Sequence, residues 1–261
     1  GHANAPFDIG GEARNNMNLA VPLERVGHRQ QLLGALDRAD RQIDQHGLMK
    51  GLDGFDRQAF SLILGQAKEA FDLAKEDPKT RDAYGKGIGE QLLLARRLCA
   101  AGCRFVTMNY SNAPQGWDMH GAVNQPNLSI DNQLRQACPP LDHAISVFLE
   151  DLAQRGLSER ILLVITGEFG RTPRINQFGG RDHWGPLCTL ALAGGGLKMG
   201  QIVGQSSANV EVPKSTPILP KDLLATVFHV LDIPSDVQIN DPFGRPQFLV
   251  PPGGQPIAEL I

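Results

Sequence analysis

Three short segments hold the side chains with the most chemistry to offer. Gly116-Trp117-Asp118-Met119-His120-Gly121 carries an aspartate and a histidine two residues apart. Gly167-Glu168-Phe169-Gly170-Arg171-Thr172 carries a glutamate and an arginine, and Gly179-Gly180-Arg181-Asp182-His183-Trp184-Gly185 carries a second Asp-His pair. Carboxylate and imidazole are the donors that borderline and hard divalent cations prefer. One Asp with two His and an open position suits catalytic zinc, manganese or iron, and such a cation would activate water or polarise an anionic ester. Arg171, Arg174 and Arg181 flank the acidic candidates. Guanidinium groups recognise phosphate, sulfate or carboxylate through paired hydrogen bonds, and the same charges would equally serve to neutralise Glu168 and Asp182.

Each candidate also has a plainer use. Asp118 can close a turn and His120 can be an ordinary loop residue. Glu168 ends an apolar strand and needs a partner, which Arg171 or Arg181 could supply. His183, between Asp182 and Trp184, could be structural. Both tryptophans of the chain neighbour a candidate ligand, as they would if they walled a pocket.

Positioning these segments requires a scaffold, and the patterning supplies one. Residues 1–30 are polar and broken by Gly and Pro, which predicts a connecting segment. Over 31–102 apolar residues recur at helical spacing, in Leu32, Leu33, Leu36 and Ile43, in Phe60, Ile63, Leu64 and Ala67, and in Leu92, Leu93, Leu94 and Leu98, which predicts a helical layer. Residues 103–261 then read as an α/β part within the same domain. Arg104–Tyr110 is expected as a short strand, Asp131–Arg155 as a helix closed by Gly156, and Ile161–Thr166 as a strand buried on both faces, as in a parallel sheet. A long loop over 167–186 leads to strands at Leu187–Ala193 and Gln201–Val203, and Pro220–Leu231 forms an apolar helix with Pro in its first turn. The order predicts an α/β fold with a mostly parallel sheet flanked by helices. Open sheets of that kind bind ligands beyond the carboxyl ends of their strands, where the three polar segments fall.

Composition narrows the function classes. The 261 residues carry 25 basic and 28 acidic side chains, a net charge of −3 that gives no electrostatic reason to expect nucleic acid. With 41% apolar residues and no apolar run near ~20 residues, no membrane-spanning helix is expected. The four cysteines lack zinc or redox spacing and are expected as free thiols. Gly194-Gly195-Gly196 lacks the spacing of a dinucleotide loop, and neither a G-x-S-x-G elbow nor a P-loop occurs. Residues 1–4 do not have the pattern of a secretory signal.

The three motifs in this order, with Pro173 completing the second, resemble the domain-of-unknown-function 1501 family common in planctomycetes, over most of the chain from Ala5 on. The resemblance implies the alkaline phosphatase/sulfatase-like fold, with a metal-dependent hydrolase site at the carboxyl edge of a mixed, mostly parallel sheet. Lys221–Pro234 is similar to the late helix of sulfatases, and Asp241-Pro242-Phe243-Gly244-Arg245 to the turn after it. Carried over by residue, Asp118, His120 and His183 match the three ligands of one metal, and Glu168 matches an Asp of the second site. The next ligand position falls on Phe169, which cannot bind a metal.

The resemblance therefore implies a hydrolase of small sulfate or phosphate esters that uses a divalent metal, zinc first, with manganese, calcium or iron as alternatives. In it Asp118, His120 and His183 hold one ion, Glu168 binds a second or orients water, and Arg171 or Arg181 holds the anion. The superfamily's opening strand and its nucleophile have no counterpart in the motif order, which predicts the C-terminal part of a larger fold with an upstream segment. Family members generally carry a twin-arginine export signal, implying a periplasmic or cell-envelope location. The alternative is a non-catalytic binding or envelope component on the same fold, and Phe169 and the missing nucleophile point that way.

Overall fold

The computed structural model describes residues 66–111, 116–241 and 243–261, together with Asp8, Pro22, Glu24, Arg25 and His28. Apart from those five, the segment expected over 1–30 and the helical runs expected before residue 66 lie outside the described residues. The chain divides into two compact units, one of Gly1–Pro78 with Ala101–Cys103 and one of Lys79–Ala100 with Arg104–Ile261.

In the first unit, α1 (Gln66–Phe71) buries Ala70 and Phe71. A 3-10 turn follows at Leu73–Lys75, capped by Asp72, whose carboxylate accepts from the Ala74 N–H at 3.1 Å.

The second unit carries the candidate chemistry. After α2 (Pro78–Tyr84), the helices α3 (Ile88–Ala100) and α4 (Ile130–Gln154) pack together. Leu92, Leu93 and Leu98 from α3 and Ala137, Ala144, Phe148 and Leu152 from α4 are buried, at the 3.6-residue spacing that gives each helix one apolar face. Ser129 caps α4, its Oγ accepting from Asn132 N–H. Gly156 closes it at φ +66 while Leu157 N–H donates back to Leu152 O at 2.8 Å, the left-handed termination glycine permits. Pro139 and Pro140 lie inside α4. They remove two N–H donors from its ladder.

The strands are β1 (Leu162–Ile165), β2 (Gly170–Arg171), β3 (His183–Trp184), β4 (Ala191–Gly194), β5 (Gln238–Asn240) and β6 (Pro246–Phe248). Where a mostly parallel sheet is expected, the described strands pair antiparallel in two-stranded ladders, β1 with β4, β2 with β3 and β5 with β6. An apolar run signals burial but does not encode strand direction. Here β1 is half-buried on both faces rather than enclosed.

Arg104–Tyr110 keeps a strand's inward-outward alternation, with Val106, Met108 and Tyr110 half-buried and Thr107 and Asn109 exposed, yet joins no ladder among the described residues. Alternation specifies a face, not a partner. Gln201–Val203 forms no strand either. Gln201 donates instead to the carbonyls of Lys198 and Glu259, and Ile202 is fully in solvent. The strand expected over Leu187–Ala193 is confined to β4.

The β1–β4 ladder and α5 (Pro220–Val230) share a small apolar cluster. Leu197, Ile257 and Leu260 are buried there against Leu162, Leu192, Val203 and Val230. Asp222 accepts from the N–H of Leu219 at the start of α5 and from that of Gln255, which ties the helix to the C-terminal segment. Among the described residues no helix is long and apolar enough to cross a membrane.

Candidate metal centre

Asp118 and His120 project from one side of a tight loop because Met119 between them is buried, 2% exposed. Two short backbone bonds, Met119 N–H to Trp117 O and His120 N–H to Asp118 O, both 3.1 Å, hold the turn. Trp117 anchors it by donating its indole N–H to Tyr110 O at 2.9 Å, and the Tyr110 hydroxyl donates in turn to Ala137 O on α4.

The β2–β3 ladder brings the other half. Arg171 pairs directly with His183, so the two side chains leave the same face. Phe169, in the bend just before β2, turns its ring to the same side. Its ring centre lies 4.2 Å from that of His183. Trp184 points the other way and donates its indole N–H to Glu211 O at 2.8 Å.

The result is a triangle. His120 Nε2 is 2.8 Å from Asp118 Oδ1, His183 Nε2 is 2.9 Å from the same oxygen, and the two nitrogens are 3.1 Å apart. Metal bonds of about 2.0–2.1 Å place neighbouring donor atoms roughly 3 Å from one another, so the triangle has the size of one face of a coordination shell. The side chains are open, with Asp118 55%, His120 37% and His183 51% exposed.

Proton accounting makes the cluster unusual. Asp182 Oδ1 lies 3.2 Å from His120 Nδ1. A carboxylate only accepts, so this contact assigns the proton of a neutral ring to Nδ1 and leaves a lone pair on Nε2. That lone pair faces Asp118 Oδ1, another acceptor, and His183 Nε2 at 3.1 Å. A divalent cation could take the carboxylate oxygen and both ring nitrogens together, and the donor set fits zinc or a similar ion.

Asp118 is held as a carboxylate, its pKa drawn down to about 2 by hydrogen bonds from His183 and then Arg171. Arg171 reaches Asp118 Oδ1 at 2.8 Å and also donates to the carbonyls of Trp117 and Arg181. Its guanidinium is thus committed to the loop that carries the ligands. The pKa of Asp182 is also lowered, by His120 and then Asn176.

Of the residues singled out in sequence, the structure brings Asp118, His120 and His183 together, with Asp182 and Arg171 in contact. Glu168 is exposed and outside the triangle. Arg181 holds the loop through its backbone, its N–H donating to Met119 O at 3.0 Å, while its side-chain Nε is buried with no hydrogen-bond partner.

A family model described as a protein of unknown function, DUF1501, matches residues 3–261. The chain belongs to the DUF1501 family. No curated protein and no solved structure matches it.

In this DUF1501 chain, Asn176 organises the loop between β2 and β3, and sequence reasoning missed it. Its Oδ1 accepts from Phe178 and Gly180 N–H, and its Nδ2 donates to His120 O at 2.9 Å and Asp182 Oδ1 at 3.1 Å. The signal that could have found it is an Asn followed closely by Gly179-Gly180, the composition of an Asx turn. Gly180 is required by close approach, because a Cβ there would collide with the His120 carbonyl.

Proposed function

We propose that this protein is a metal-dependent hydrolase of sulfate or phosphate esters, with Asp118, His120 and His183 holding one divalent cation. The observation that carries the reading is the triangle of donor atoms at 2.8, 2.9 and 3.1 Å, in which a histidine lone pair faces a carboxylate oxygen. A divalent cation held there supplies Lewis acidity toward an anionic ester. Asp118 contributes the charge, and Arg171 keeps it ionised and in place. The Phe169 ring, tilted against that of His183, gives that side of the site an apolar wall. Arg181, with its orphaned buried Nε, is the side chain we assign to the ester's anionic group. Glu168, exposed beside Phe169, is left outside the ligand set.

Family membership and the motif order support placing the site in the alkaline phosphatase/sulfatase-like group. With that placement goes a cell-envelope location. The openness of the three ligand side chains favours a site that admits substrate over a purely structural cluster.

Elemental analysis of protein purified without chelator tests the reading. We expect about one zinc, manganese, calcium or iron per chain, and hydrolysis of an aryl phosphate or aryl sulfate that stops on chelation. Protein that takes up no divalent metal overturns it.

A further inference from the structure

We infer that Asp182 is a positioning residue for His120, a role that rests on the metal-centre reading above. The Asp182 carboxylate holds the proton of the imidazole on Nδ1, and this turns the Nε2 lone pair toward Asp118 and His183. Asn176 keeps that carboxylate in place.

Three observations meet at this point. First, His120 uses both nitrogens in opposite directions, Nδ1 toward Asp182 Oδ1 at 3.2 Å and Nε2 toward Asp118 Oδ1 at 2.8 Å. An imidazole that binds a metal through one nitrogen commonly gives the proton of the other to a carboxylate, which fixes its tautomer and strengthens its basicity.

Second, Asn176 leaves no side-chain bond unused. Its Nδ2 donates to Asp182 Oδ1 and to the backbone carbonyl of His120, and its Oδ1 accepts two N–H groups. Two acceptors on one side and two donors on the other fix the orientation of its amide. The same amide therefore locates both the ligand-bearing backbone and the carboxylate that orients the ligand.

Third, Asp182 is itself pinned from its backbone. Its N–H donates to Thr172 Oγ1 at 3.0 Å, and its carbonyl accepts from Thr172 N–H at 2.9 Å. The carboxylate is thus presented from a braced position although its side chain is 57% exposed. The adjacent residue, His183, is a ligand, so two neighbouring side chains divide the work. One supplies a donor atom and the other sets the ring across the site.

The test uses two substitutions and two readouts. Long-range proton–nitrogen spectra of the metal-free protein at about pH 8.5, above the ordinary imidazole pKa of ~6.5, report which nitrogen of His120 is protonated. The wild type is expected to show Nδ1–H. In Asp182→Ala the Nε2–H form should dominate, while Asp182→Asn, which keeps an acceptor oxygen, should retain the wild-type tautomer. Cobalt titration followed by its visible absorption should show affinity reduced about 10–100-fold in Asp182→Ala and less in Asp182→Asn. An Asp182→Ala protein that keeps the wild-type tautomer and cobalt affinity overturns the positioning role. A wild type that binds no cobalt overturns the metal reading instead, and the tautomer measurement then decides the role of Asp182 alone.

Discussion

Two aspartates of the same unit each gather three cationic or hydrogen-bonding partners, and they do so to opposite ends. Asp151 on α4 is 8% exposed. It accepts from the Tyr84 hydroxyl at 2.9 Å and from Arg155 Nε at 2.6 Å, and it forms an ion pair with Arg96, whose Nε lies 2.9 Å away. Every partner is a donor or a cation, and the cluster braces α2, α3 and α4. Burial, and after it the charge of Asp151, pushes the Tyr84 phenol above its usual pKa, which keeps it a donor. Asp118 sits in the open with Arg171, His183 and His120, and one of those contacts sets acceptor against acceptor. The buried cluster ties helices together, and the open one is the set of donors we propose for a cation.

The largest expected effect tests the buried side of this contrast. Asp151→Ala removes the buried carboxylate shared by Tyr84, Arg96 and Arg155 and should cost about 3–5 kcal/mol, measured by urea denaturation, with metal content per folded chain unchanged. Asp118→Ala should do the reverse. In the metal-free protein stability should change by no more than ~0.5 kcal/mol, as for an exposed site, while cobalt affinity falls by more than the ~100-fold that a supporting residue can account for. Equal destabilisation by the two substitutions would erase the distinction.

Between these extremes lies Gly180→Ala. The added methyl meets the His120 carbonyl, so a loss of about 1–3 kcal/mol is expected from overpacking. Because the collision displaces a ligand's backbone, metal affinity should fall with it. A variant with wild-type stability and affinity would mean that the loop over 172–182 can shift freely without harm to the site.

The smallest effect is a pH dependence at a third aspartate, one held by backbone N–H groups. Asp222 has its pKa lowered by the N–H groups of Leu219 and Gln255. A carboxyl depressed in the folded state contributes stability that is present above its unfolded value of ~3.9 and is lost as pH falls through its folded value. The acid side of a Tm profile between about pH 5 and pH 2 should be less steep in Asp222→Asn, with no change in metal binding.

Much of the scaffold was legible from local patterning. The helix expected at Asp131–Arg155 spans Ile130–Gln154, and Gly156 terminates it. The helix expected at Pro220–Leu231 spans Pro220–Val230. Residue type and order suggested that the three polar segments meet, Glu168 included, and the family resemblance singled out Asp118, His120 and His183, which the structure brings together.

Strand direction was not, because the apolar run before Thr166 would look the same in either orientation. The commitment of Arg171 to Asp118 was also hidden, since it follows from a two-residue register with His183 that only pairing defines. Glu168 looked like a buried carboxylate in want of a partner because it follows an apolar strand. The chain has already turned outward there, and the residue is exposed. Asn176 was invisible because its importance lies in four hydrogen bonds to groups as distant as 56 residues.

The spacing of the donors along the chain has a consequence for folding. Asp118 and His183 are 65 residues apart, and His120 and His183 are 63 apart. A cation that joins them closes a long loop in the same way as a covalent cross-link, and the chain-entropy relation for cross-links assigns a loop of that length on the order of 4 kcal/mol. The ion would then act as a reversible staple, one that a chelator can open and a thiol reductant cannot.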